Sequence, residues 1–235
     1  LLNADESLLY VACANTDDVW VIDTATDTVL ETIDLHPYPN APYGSTPNGL
    51  ALSSDGSVLY VANATNNDIA VVDVSKRGAS VIRGLIPVGW YPTALAMASG
   101  RGKREPASGK GLVSKPTPKG PNPVNGTGNA EYSGGRFNGT GSSIPIPDAK
   151  TLKSGTRRTA ENNGFNEAER KLRAPRKSVK PVQLPRRAGE PSLIKHVLYI
   201  IKENRTYDQV FGDIAKGNGD STICILGREI TPNHH

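Results

Sequence analysis

The chain has 235 residues, with 27 Lys and Arg against 23 Asp and Glu, 24 Gly, 18 Pro, two Cys and one Met. That length supports one mid-sized domain or two small ones with a real core. No apolar run reaches the roughly 18 residues of a transmembrane helix, and Cys13 and Cys224 lie too far apart for a disulfide scaffold or a Cys-rich zinc module.

The net charge of +4 conceals a strong segregation. Residues 1–100 hold 3 basic and 11 acidic side chains, residues 101–188 hold 19 and 6, and residues 189–235 hold 5 and 6. Such shifts mark changes of structural regime. They divide the chain into an acidic region (1–112), a basic Pro/Gly-rich connector expected to be largely irregular (113–190) and a near-neutral end (191–235). The chain opens at Leu1-Leu2-Asn3, and no basic stretch followed by an apolar one marks a signal peptide.

The acidic region repeats itself. Leu9-Tyr-Val-Ala-Cys-Ala-Asn-Thr-Asp-Asp-Val-Trp-Val-Ile-Asp23 superimposes on Leu59-Tyr-Val-Ala-Asn-Ala-Thr-Asn-Asn-Asp-Ile-Ala-Val-Val-Asp73, an offset of 50. Pro47-Asn-Gly-Leu-Ala-Leu-Ser-Ser54 recurs as Pro92-Thr-Ala-Leu-Ala-Met-Ala-Ser99, an offset of 45. Periods of this size with β-type patterning predict a propeller or solenoid. Within each unit, strands rich in Val, Ile, Tyr and Trp alternate with Asn/Asp turns. Asp23 and Asp73 are expected to cap strand ends, and Trp20 and Trp90 to pack within blades. These residues resemble the YVTN-type β-propeller repeats. The resemblance implies blades of a ring of about seven, of which residues 8–100 supply two and part of a third, so the chain reads as cut from a longer parent.

In the middle, too few large apolar residues are present to offset the entropy of ordering. Gly109–Pro123 reads as a turn-dense island. Ser143–Leu152 predicts a short extended piece followed by a helical turn started by Asp148. Residues 157–173 predict a charged helix interrupted at Asn162-Asn-Gly164. The positive charge suggests a weak contact with an anionic surface through residues 101–188. No aromatic interleaving or DNA- or RNA-binding pattern accompanies it, so specific nucleic-acid binding is not expected. Asn125-Gly-Thr127 and Asn138-Gly-Thr140 match the short glycosylation sequon.

At the end of the chain, Ile194-Lys-His-Val-Leu-Tyr-Ile-Ile-Lys202 is a run of β-formers without strict alternation. That is the pattern of a strand buried on both faces of a parallel sheet. Glu203 and Asn204 follow, beyond the carboxyl end of that expected strand, where open α/β sheets bind ligands. A carboxylate and an amide oxygen side by side are hard donors suited to a divalent cation; the competing role for Asn204 is a helix cap. Arg205 could contact phosphate or pair with Asp208.

The longer string Ile194-Lys-His-Val-Leu-Tyr-Ile-Ile-Lys-Glu-Asn-Arg-Thr-Tyr-Asp-Gln-Val-Phe-Gly-Asp213, with Gly217-Asn-Gly-Asp220 and Thr231-Pro-Asn-His-His235, resembles the start of a phosphoesterase domain. The domain is that of the phospholipase C/acid phosphatase branch of the alkaline phosphatase superfamily. The Gly109–Pro123 and Ser143–Leu152 islands resemble the connector of bacterial proteins that fuse a YVTN-type propeller to this domain. The resemblance implies a metal-dependent phosphoric-ester hydrolase in which Glu203 and Asn204 are metal ligands, exported to the periplasm or outside the cell. It places the Ser or Thr nucleophile and further Asp and His ligands beyond His235.

The expected fold class is therefore mainly β: a partial β-propeller of two to three blades, a basic irregular connector, and the first strand and helix of an α/β phosphoesterase domain. The expected function is that of a fragment of a divalent-metal phosphoesterase, with little activity as given. The alternative is a non-enzymatic propeller that binds an anionic or protein partner.

Overall fold

The structure, a computed structural model, describes residues 1–98, 103–108 and 139–235, with residues 98 and 103–108 described by their backbone alone. The Gly109–Pro123 island and the first sequon lie outside the described residues, as does the Asn of the second. The described residues form two compact units, one from the first 108 residues together with 139–195, the other from 196–235.

The first unit is a partial β-propeller made of antiparallel meanders. Strands β1 (Leu8–Cys13), β2 (Asp18–Asp23) and β3 (Thr28–Asp34) form the first sheet. Strands β4 (Pro47–Leu52), β5 (Val58–Asn63), β6 (Asp68–Asp73) and β7 (Val81–Pro87) form a complete four-stranded blade. In the third sheet β8 (Pro92–Ala98) pairs with β9 (Lys103–Ser108), and the two-residue strands β10 (Thr140–Gly141) and β11 (Ile144–Pro145) pair with successive stretches of β9.

The sequence repeat is a repeat of turn chemistry as well as of strands. Asp55 Oδ1 accepts from Ser57 N at 3.1 Å and Ser57 Oγ at 2.8 Å, and Ser53 Oγ accepts from Val58 N at 2.9 Å. Fifty residues earlier Asp5 Oδ1 holds Ser7 N at 3.1 Å and Ser7 Oγ at 2.7 Å, and Asn3 Oδ1 accepts from Leu8 N at 2.9 Å. Short polar side chains hydrogen-bonding backbone two residues on are what make such turns. The Ser7 hydroxyl on Asp5, and the Ser53 hydroxyl, which donates to Asp55 Oδ1 at 2.6 Å, are the main reasons that these two carboxyls lie below the usual range. At the β1–β2 and β5–β6 hairpins, Asp17 (φ 54°) and Asn67 (φ 57°) take the same left-handed conformation, which Asn and Asp tolerate best among non-glycines.

The core consists of two layers on either side of the complete blade. Leu8, Tyr10, Val19, Val21, Ile33 and Leu35 of the first sheet region pack on Leu59, Val61, Ala70, Val72 and Val74. On the opposite face, Tyr60, Ile69, Val71 and Ile86 pack with Leu95 and Met97 of β8 and with Leu152. Strands β5 and β6 are thus buried on both faces, as inner blade strands require. The first sheet is buried on one face only. Trp20, at the position of the fully buried Ala70, is 41% exposed and Trp90 58%, so neither is buried by the blade packing expected of it.

Leu152 belongs to helix α1 (Ala149–Asn163), which starts where Asp148 Oδ1 accepts from Thr151 N at 2.7 Å. It ends at Gly164, whose left-handed φ of 67° lets its N–H reach the Ala160 and Glu161 carbonyls. Helix α2 (Phe165–Leu172) follows directly. Two glycines let α1 approach β7. A Cβ on Gly155 would stand 2.8 Å from Leu85 O, and one on Gly84 2.8 Å from Leu152 Cγ. Thr156 Oγ1 accepts from Leu85 N at 2.9 Å across this seam. Residues that composition places in the connector therefore cover the outer half of a blade face, where a neighbouring sheet has only two-residue strands to offer.

The expected strand at Ile194–Lys202 is not formed. These residues have no regular secondary structure, and Val197–Ile201 are 72–86% exposed. Isolated β-formers gain nothing without a ladder to join, and no strand among the described residues of the second unit offers one. The expected helix after it does form, as α3 (Tyr207–Phe211).

Candidate functional site

In the second unit the chain turns at Asn204, which adopts a left-handed φ of 65°. Glu203 and Asn204 are both exposed, and neither side chain makes a hydrogen bond or ion pair among the described residues. Asn204 is not the helix cap. That role belongs to Thr206, whose Oγ1 accepts from Gln209 N at 3.3 Å while Gln209 Oε1 accepts from Thr206 N at 3.2 Å, a complete capping box. Arg205 does not pair with Asp208: its guanidinium donates to the Asn204 carbonyl at 2.9 Å, and Asp208 Oδ1 accepts from Asp220 N at 2.8 Å.

Further contacts hold the Thr231–His235 segment. Lys202 Nζ lies 3.4 Å from His234 Nε2, which brings that segment beside the Glu203–Asn204 turn. His235 is a buried tie. Its Nε2 meets Asp213 Oδ1 at 2.7 Å, its Nδ1 meets Thr231 O at 3.0 Å, and its ring tilts against Phe211 at 5.3 Å between centroids. Asp213 Oδ2 also accepts from Arg228 N at 2.8 Å. That backbone bond, with the His235 contact second, holds the Asp213 carboxyl below its ordinary range. Nothing in the spacing of residues 213 and 235 signals this pair; only the fold brings them together.

The donor types at Glu203 and Asn204 suit a hard divalent cation, but their number does not complete a cage, since such ions take about six oxygens. No group of three or more His, Cys, Asp or Glu among the described residues could hold a metal ion.

In the propeller unit the turn aspartates are structural, as expected. Asp23 Oδ1 accepts from Ala25 N and Thr26 N, and Asp73 Oδ1 from Ser75 N and Oγ. The conspicuous polar pair is Asn63 with Asp68, which face each other across β5 and β6. Asn63 Nδ2 donates to Asp68 Oδ1 at 2.9 Å, while Asn63 Oδ1 and Asp68 Oδ2 lack partners among the described residues. Burial pushes the Asp68 carboxyl up to about 7. The first repeat has Cys13 in place of Asn63, so the repeat did not announce this pair.

No protein-family model matches the chain, and no curated protein matches it. Solved structures do match over part of it. Hydrazine synthase of Kuenenia stuttgartiensis matches at 23% identity with a TM-score of 0.39, over 46% of this chain and 28% of that one. A protein assigned as a 6-phosphogluconolactonase from Bacteroides uniformis matches at 18% and 0.40, over 46% and 32%. The periplasmic gluconolactonase of Pseudomonas aeruginosa matches at 18% and 0.34, over 45% and 32%. The chain thus spans about a third or less of the structures it matches. No helix among the described residues is long and apolar enough to cross a membrane.

Proposed function

We propose that the second unit contributes part of the active site of a metal-dependent phosphoric-ester hydrolase, acting in the periplasm or outside the cell, with the propeller blades as an accessory module. The observation that supports this reading is the Glu203–Asn204 turn. It holds two hard oxygen donors exposed and unpaired, beside a segment carrying His234 and next to a helix whose own capping needs are met by other residues.

Glu203 and Asn204 would hold the cation, Glu203 supplying the charge and Asn204 a neutral oxygen. A bound divalent cation neutralises charge on phosphoryl oxygens. The Asp213–His235 tie fixes the segment that carries His234, and Thr206 with Gln209 fixes the helix that follows the turn.

Two donors bind loosely. A titration of the 235-residue chain with Mn²⁺, read by the loss of free-ion electron paramagnetic resonance signal, is expected to show a dissociation constant on the order of millimolar. Glu203→Gln with Asn204→Ala is expected to weaken it at least several-fold, without change in the circular dichroism spectrum. Equal binding by the variant, or none by the wild type, would count against the reading. Hydrolysis of an aryl phosphate ester by this chain is expected to stay near background.

A further inference from the structure

The loop after α2 concentrates charge in an ordered frame. Residues 173–189 contain six basic side chains and no acidic one. The loop is tied at its base. Arg176 donates through Nε and Nη2 to the buried Glu190 at 2.7 and 2.9 Å, and Ala188 N donates to Lys171 O at 3.0 Å. The Arg176 bonds hold the Glu190 carboxyl at about 2, so this carboxylate is charged and consumed within the loop. Leu193 N donates to Val182 O at 3.0 Å and Ser192 Oγ to Gln183 O at 2.9 Å. Pro175, Pro181 and Pro185 stiffen what these bonds close.

The tip presents what the ties leave over. Lys177, Lys180 and Arg186 are exposed and make no ion pair among the described residues. Between them Leu184 stands 82% exposed and Val182 45% exposed. A bulky apolar side chain held outward among unpaired cations has two physical needs, a negative surface and an apolar layer just beneath it. An anionic lipid bilayer offers both. A nucleic acid offers only the first, and residues 173–192 contain no aromatic side chain on which a base could stack.

We propose that the 173–192 loop is a docking site for anionic lipid bilayers, with Lys177, Lys180 and Arg186 facing headgroups and Leu184 entering the interface. The test is co-sedimentation of the full chain with vesicles of phosphatidylcholine alone and of phosphatidylcholine with 30% phosphatidylserine, in about 0.1 and 0.5 M NaCl, screening being much stronger in the second. Binding is expected only with phosphatidylserine and is expected to fall at least tenfold at high salt. The triple variant Lys177→Glu, Lys180→Glu, Arg186→Glu is expected to lose at least tenfold, and Leu184→Ser several-fold. All four residues are exposed, so unchanged thermal unfolding of the variants serves as the folding control. Equal binding to neutral vesicles would overturn the proposal, as would indifference to either variant. Tighter capture by a single-stranded oligonucleotide, insensitive to Leu184→Ser, would overturn it in favour of nucleic acid.

Discussion

Leu59→Ala is expected to destabilise the propeller unit by about 2–5 kcal/mol, whereas Leu9→Ala, at the same position of the preceding repeat, is expected to cost about 1 kcal/mol. The two leucines head identical Leu-Tyr-Val-Ala strings. Leu59 is fully buried between the first sheet and the complete blade, so removing its branch leaves a cavity walled by neighbours that cannot collapse. Leu9 lies on the open face of the first sheet and is only partly buried. Urea unfolding followed by circular dichroism measures both. Equal losses would mean that the open face is covered in solution and that the sheets are stacked differently.

The second large effect is a pH dependence. Asp68→Asn is expected to flatten the fall in stability that the wild type shows between about pH 4 and pH 8. Folded Asp68 takes up its proton near pH 7, and an unfolded aspartate near 3.8. Between those values the folded chain binds more protons, so stability declines as pH rises, by roughly 4 kcal/mol at most for a shift of about three units. A protonated Asp68 can donate to Asn63 Oδ1, satisfying the two orphan oxygens at once. An asparagine at this position can make the same donation at every pH. The carboxyls held below their ordinary range, including Asp55 and Asp73, act oppositely: their stabilisation is present above the unfolded value and disappears as pH falls. They are common to both proteins and cancel in the comparison. Parallel pH profiles for wild type and variant would show that Asp68 is not buried as described.

Much of the first unit was legible because its determinants are local. The alternation of Leu9–Asp23 and Leu59–Asp73 sets strand length and register, and Asp148 and Gly164 bracket α1 with the residues helix ends require. What stayed hidden depends on distant partners. Helix α1 is rich in Lys, Arg and Asn, so composition places it in a solvated connector; its docking depends on Gly155 leaving room for the Leu85 carbonyl and on Gly84, seventy-one residues away, leaving room for the Leu152 and Thr156 side chains. The run at Ile194–Lys202 carries the residues of a buried strand, yet a strand exists only when another supplies its ladder. At the candidate site the Glu203–Asn204 dipeptide could be singled out from the sequence, as could the helix after it. The Asp213–His235 tie could not, because a carboxylate and an imidazole 22 residues apart have no periodicity to reveal them.

The claim that Glu203 and Asn204 are the cation donors is tested most directly by paramagnetic broadening. With substoichiometric Mn²⁺ added to the isotope-labelled chain, amide signals of residues 202–206 and 231–235 are expected to broaden first. Broadening confined to the aspartate turns at residues 5, 23, 55 and 73, with residues 202–206 sharp, would contradict it.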